Sequence, residues 1–166
     1  MEEYLIVDGY NVIGAEQDLK QLGDLAEARD ALIEKLSEYQ AYTGVQVYVV
    51  FDAHMVPGIG RRTKDQEITV IYTRKNQTAD ECIERLVKQL RGVQRQIYVA
   101  TSDYTEQRVV FGEGALRKSA RELLLELDQL KSEIRTQVQE NYQQKNERLS
   151  VHKDMAEILE KWRRGR

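Results

Sequence analysis

The chain has 166 residues, 32% of them charged, a formal net charge of −3 and one cysteine, Cys82. One cysteine excludes an intramolecular disulfide and a metal centre built from thiolates, so any bound metal is left to oxygen ligands. No stretch approaches the roughly 20 apolar residues of a membrane span, and Tyr4 to Val7 is too short for a signal-peptide core, so the chain reads as cytoplasmic with no membrane partner.

In chain order, the first buried-strand signal is Tyr4 to Val7. From Asp24 to Tyr42, residues Leu25, Ala28, Leu32, Leu36 and Tyr39 recur at three- and four-residue spacing, which predicts an amphipathic helix stopped at Gly44. Val45 to Phe51 is a second strand. Ala53 to Gln66 contains Pro57, Gly58 and Gly60 before Arg61, Arg62 and Lys64, a composition that predicts a mobile loop with a basic tip. Glu67 to Tyr72 is a third strand, followed by Arg74 and Lys75. Thr78 to Leu90 predicts a helix with Thr78 as N-cap and Glu81 three residues on, ended by Gly92. Gln96 to Thr101 is a fourth strand, and Val109 to Phe111 is a candidate for a last short one. Ser119 to Tyr142 reads as one long helix and the segment from the N-cap Ser150, with Met155, Ile158, Leu159 and Trp162, as a final one, with the Tyr, Leu and Met positions at helical spacing assigned to the core. Strands alternating with helices predict an α/β fold, mostly parallel, with helices on both faces and binding at the carboxyl ends of the strands. The expected organisation is a main domain over residues 1–142, with a C-terminal helix over 143–166 packed on it or appended to it.

Those carboxyl ends carry acid. Asp8 follows the first strand, Asp52 the second, and Asp103 lies just beyond the fourth, while Asp80 and Glu81 open a helix that starts near the same edge. Clustered carboxylates repel unless a cation is present, and Mg²⁺ or Mn²⁺ is a hard ion that takes carboxylate and water oxygens. Each aspartate also has a structural reading, as a turn residue or as a cap favoured by the helix dipole. His54 reads as a loop residue and His152 as a residue on the exposed face of the last helix. Acidity overall argues against RNA binding through global charge, but the basic residues between 61 and 75, and Lys161, Arg163, Arg164 and Arg166 at the C-terminus, leave local positive surfaces.

Four blocks, Val7-Asp8-Gly9-Tyr10-Asn11, Val50-Phe51-Asp52-Ala53-His54, Thr78-Ala79-Asp80-Glu81 and Ala100-Thr101-Ser102-Asp103, together resemble the NYN branch of the PIN-like nucleases, and specifically the bacterial YacP family. The likeness extends through Glu106-Gln107-Arg108 and Gly112-Glu113-Gly114-Ala115 to Ser119-Ala120-Arg121-Glu122. It implies the PIN-like three-layer fold and a Mg²⁺-dependent endoribonuclease, with Mn²⁺ as a substitute ion. Members of the family are associated with translating ribosomes and with mRNA cleavage there, which makes mRNA and the ribosome the implied partners. By position, Asp8, Asp80 and Asp103 match the metal-binding aspartates of the wider group and Asn11 its asparagine. Asp52 and Glu81 are further candidates at the metal, Ser102 a phosphate-positioning donor, and Arg61, Arg62, Lys64, Arg74 and Lys75 the contacts to RNA or ribosome. Several relatives carry another aspartate one helical turn after the residue matching Asp103; here that position is Gln107, with Glu106 on a neighbouring face as a candidate substitute, which leaves one ion or two open.

A metal-bound water oriented for in-line attack on phosphorus would leave a 5′-phosphate and a 3′-hydroxyl. Two histidines make a metal-independent acid–base route a poor fit. A phosphoreceiver-like domain would need an adjacent acidic pair after the first strand and a lysine after the last, and Asp8-Gly9-Tyr10 and Ser102-Asp103 supply neither. A non-catalytic RNA- or ribosome-binding module of the same fold is the remaining alternative.

Overall fold

A computed structural model describes residues 1–16, 21, 24–52, 62–65, 67–102, 112 and 114–164, with backbone alone for 62–65. Among them the chain runs β1 (Glu2–Asp8), α1 (Gly9–Ala15), α2 (Leu25–Thr43), β2 (Gln46–Phe51), β3 (Arg62–Asp65), β4 (Ile68–Tyr72), α3 (Ala79–Leu90), β5 (Arg95–Ala100), β6 (Leu116–Lys118) and α4 (Ala120–Arg163). The six strands form one sheet in the order β3-β4-β2-β1-β5-β6. All neighbours are parallel except β3, which pairs antiparallel with β4 at the edge.

Alternation along the strands sorts side chains to two faces. Leu5 and Val7 of β1 and Val47, Val49 and Phe51 of β2 pack with Val12 and Ile13 of α1, Leu32 and Leu36 of α2, and Leu123, Leu124 and Leu127 of α4. On the opposite face Ile6, Val50, Ile71 and Val99 pack with Ile83, Leu86 and Val87 of α3. Helices on both faces make the three-layer α/β arrangement expected from the sequence. Each fully buried Leu, Ile or Val contributes about 1.5–3 kcal/mol relative to exposure, and β1 and β2, apolar on both faces, hold the centre.

Helix ends follow local chemistry. The Asp24 carboxylate accepts from the Glu27 amide at 2.8 Å and Gly44 closes α2 at φ 79°, a left-handed cap that suits glycine. The Thr78 hydroxyl accepts from the Glu81 amide at 3.2 Å, as its N-cap role requires.

Several expectations are corrected. The segment read as loop through Gln66 contains β3, whose backbone pairs Arg62 with Ile71 and Lys64 with Thr69. Its polar composition lacks the alternating apolar signal, and pairing with β4 supplies the strand's hydrogen bonds instead. Helix α1 was not foreseen, because Gly9, Gly14 and the β-branched Val12 and Ile13 lower helix propensity. Ser119 caps α4 by accepting from the Glu122 amide at 3.1 Å, and that helix continues unbroken to Arg163, so no new helix begins at Ser150. Nothing between Tyr142 and Ser150 is Gly or Pro, so nothing there breaks a helix. A short parallel strand, β6, follows Ala115; Val109 to Phe111 lies outside the described residues.

Residues Met1–Leu127 form one compact unit and Asp128–Arg166 a second. In the second, Met155 and Leu159, assigned to the core by their spacing, are exposed, as are Ile158 and Trp162, the last by 75%. His152 is exposed, as expected. Among the described residues no helix is long and apolar enough to cross a membrane.

Candidate functional site

The parallel strands β1, β2, β4 and β5 end on one edge, because Val7 is level with Val49 and with Ala100, and Phe51 with Tyr72. The residues that follow them open on that edge: Asp8 closing β1, Asp52 after β2, Thr73 after β4, and Thr101 and Ser102 after β5. β1 lies between β2 and β5, so Asp8 is central among them.

Two cross-chain contacts organise the edge. The Thr101 hydroxyl lies 3.5 Å from Asp8 Oδ2, and the Ser102 amide donates to Asn11 Oδ1 at 2.7 Å. Asn11 stands in the first turn of α1, so its bond ties the start of that helix to the end of β5. Thr73 and Thr101 are fully buried, and their amides complete the sheet by donating to the carbonyls of Phe51 and Lys118, both at 3.0 Å. Asp80 and Glu81 are exposed in the first turn of α3, which begins six residues beyond Thr73 on the same side of the sheet as the strand ends. Arg74 and Lys75 are exposed directly after β4.

An aromatic block supports the edge from the α1–α2 face. Phe51, fully buried, meets the Tyr10 ring edge-on at 5.1 Å and stacks on Tyr72 at 5.6 Å. A Cβ on Gly9 would come 2.3 Å from Phe51 Cε1, so only glycine admits the ring there. Arg29 of α2 donates from Nη1 to the Tyr10 hydroxyl at 2.9 Å, and the Tyr72 phenol lies within its electrostatic reach. Burial pushes the Tyr10 phenol above its ordinary pKa; Arg29 opposes the shift and the nearby Asp52 charge reinforces it. None of Arg29, Tyr10 and Tyr72 was singled out as a site residue from sequence. The available signal was a charged residue directly beside the buried stripe position Ala28.

The structure therefore gathers Asp8, Asn11, Asp52 and Ser102 at one edge, with Asp80, Glu81, Arg74 and Lys75 on segments that begin there. Asp103 and Arg61 lie outside the described residues, as do His54, Glu106 and Gln107, and of Arg62 and Lys64 the backbone alone is described. Among the described residues no three carboxylate, histidine or cysteine side chains come together as a metal-binding group. The donors present are oxygens, which suit a hard divalent ion, and Cys82 is buried in the α3 face.

A family model for the YacP-like NYN domain matches residues 5–164. The chain is 48% identical over 166 residues to a Bacillus subtilis (strain 168) protein described as uncharacterized protein YacP, with 98% of each covered. It is similar to the crystal structure of Rae1 (YacP) from Bacillus subtilis, with a TM-score of 0.77 at 48% identity, over 98% of this chain and 95% of that one. A crystal structure of a mutant of the same protein gives a TM-score of 0.75 at 50% identity, over 84% and 83%.

Proposed function

The chain belongs to the YacP-like NYN domain family, a nuclease-type fold, and from that premise we propose that it is a Mg²⁺-dependent endoribonuclease that cuts mRNA on the translating ribosome. The observation that carries the reading is the Asp8 carboxylate at the end of a central strand, beside the Thr101 hydroxyl and two strand ends from which Asp52 and Ser102 emerge. Asp8, Asp80 and Asp103 would hold the ion, with Asp52 and Glu81 near it. Bound there, Mg²⁺, or Mn²⁺ in its place, would activate a water and offset charge developing on the phosphate. The chain's own residues supply the rest. Asn11 fixes the Ser102 segment beside Asp8, so the donors at the end of β5 keep their distance from the acidic edge. Arg74 and Lys75, exposed at the same edge, attract RNA phosphates to a chain whose total charge would repel them.

Cleavage of an mRNA with and without ribosomes, in Mg²⁺ and in EDTA, tests the proposal against an Asp8→Asn control. Metal-dependent cuts lost in the variant are expected, and more of them with ribosomes present. Ribosome or RNA binding without any cleavage would replace the enzyme by the binding module of the same fold. Equal cleavage by Asp8→Asn would remove the acidic edge as the active site.

A further inference from the structure

Arg29 is a half-buried guanidinium whose hydrogen-bond partner among the described residues is the Tyr10 phenol oxygen, with the Tyr72 phenol near it and no carboxylate paired with it. Withdrawing a cation from water without a counter-charge is unfavourable, and an arriving anion relieves it. Its position is informative. Tyr10 follows Asp8 by two residues, Tyr72 is the last residue of β4, and Phe51 between their rings directly precedes Asp52. Arg29 thus stands over the carboxyl ends of β1, β2 and β4, on the α1–α2 side of the acidic edge.

We propose that Arg29, held in place by the Tyr10 hydroxyl, is a phosphate-binding subsite for the RNA backbone, next to the edge where the substrate is cut. The inference rests on the nuclease reading for its substrate. A guanidinium offers five donors in a planar fork that matches phosphate oxygens, and one hydroxyl anchor leaves most of that fork for a ligand. Anchoring also reduces the ordering that binding would otherwise cost, because the long side chain is already oriented. Tyr10 and Tyr72 flank the subsite with partly exposed aromatic surface, the second element that single-stranded nucleic-acid sites combine with positive charge.

The test is binding of a single-stranded RNA oligonucleotide to the full chain in EDTA, over a series of KCl concentrations. Arg29→Gln is expected to weaken binding several-fold and to reduce the slope of log affinity against log salt by about 0.7, the counterion release of one phosphate contact on a single strand. Tyr10→Phe keeps the ring and removes the anchor, so affinity should fall while the slope stays. Unchanged affinity and slope in Arg29→Gln overturns the subsite, as does a wild-type chain that does not bind the oligonucleotide. A lowered melting temperature with an unchanged slope overturns it too, and makes Arg29 a tie between α1 and α2. Should Arg29→Gln fail to fold, Arg29→Lys decides, because it keeps the charge and loses the fork: wild-type affinity there removes the subsite. Cleavage in Mg²⁺ is scored separately. A chain that never cuts RNA but loses salt dependence in Arg29→Gln retains the subsite and loses the nuclease reading, and the reverse pattern does the opposite.

Discussion

The Asn11 side-chain oxygen accepts the Ser102 amide at 2.7 Å, across 91 positions of sequence, and so joins the first turn of α1 to the end of β5 beside Asp8. One hydrogen bond of this kind contributes about 1 kcal/mol to stability, which is small, but its loss frees the segment that carries Ser102 and leads on to Asp103. Asn11→Ala is expected to lower turnover by tenfold or more, with a smaller loss of RNA binding. The check is single-turnover cleavage alongside binding in EDTA. Equal losses in the two would assign Asn11 to binding or folding instead.

Gly9 and Gly14 lie in the same short helix and should respond with opposite signs. A methyl group at Gly9 meets Phe51 at 2.3 Å, and that ring is buried between Tyr10 and Tyr72 with no room to yield. Overpacking of this kind costs about 1–3 kcal/mol. At Gly14 nothing lies within 4 Å, so alanine there should stabilise by about 0.5–1 kcal/mol through helix propensity. Thermal unfolding of Gly9→Ala and Gly14→Ala compares them directly. A neutral Gly9→Ala would mean that Phe51 is not fixed where it stands.

What could be read from the sequence followed from strong local signals. α2 and α3 were legible because Asp24, Gly44 and Thr78 carry caps at the ends of clear apolar stripes, and the acidic edge because an aspartate follows each of three buried runs. The signal failed where pairing or continuity, not periodicity, decides structure. β3 is polar and exists by its register with β4, and α1 is short and glycine-bearing. In α4 the apolar spacing from Met155 to Trp162 is that of a packed helix, yet those residues are exposed, because period alone does not say whether a partner surface is present. Arg29 has no such local signal, because its partner Tyr10 stands 19 positions away in another helix.

Stability should fall at high pH. Burial, reinforced by Glu126, Glu3 and Tyr98, pushes the Tyr39 phenol up to about 12 from its ordinary 10.0. A folded-state pKa above the unfolded one means that the folded chain holds the proton longer. The contribution is complete below pH 10 and is lost as the pH rises toward 12. Tyr39 is only half-buried, so solvent screening limits the loss to roughly 1–2 kcal/mol. Melting temperatures measured from pH 8 to pH 11 should decline, and Tyr39→Phe should flatten the decline. Tyr4 and Tyr10, also raised, add to the same trend and will leave a residual slope. An identical decline in wild type and Tyr39→Phe would remove Tyr39 as a source.

The basic stretch before and after β4 is the remaining determinant of how an acidic chain holds RNA. Because β3 runs antiparallel to β4, Arg62 is level with Ile71, one residue short of the β4 carboxyl end, while Lys64 lies farther from it beside Thr69. Arg74 and Lys75 are exposed immediately after that end. A strand fixes the backbone of Arg62 and Lys64, so these charges are carried on structure rather than on a free loop tip, and their order from the edge is set by register. Arg62 and Arg74 should then matter more for RNA or ribosome association than Lys64. Replacing Arg61, Arg62 and Lys64 together with alanine should weaken that association and flatten its salt dependence, since fewer counterions are released per binding event. A further Arg74→Ala should flatten it more. Alanine at the exposed Arg74 should leave melting unchanged within about 0.5 kcal/mol, because surface charges contribute little to folding. Binding and salt slope should be measured on free mRNA and on ribosomes in parallel, with the single variants Arg62→Ala and Lys64→Ala setting the order. An unaltered slope in the triple variant would transfer the role to the basic C-terminus, where Lys161 and Arg163 lie in the last turn of α4 and Arg164 follows it.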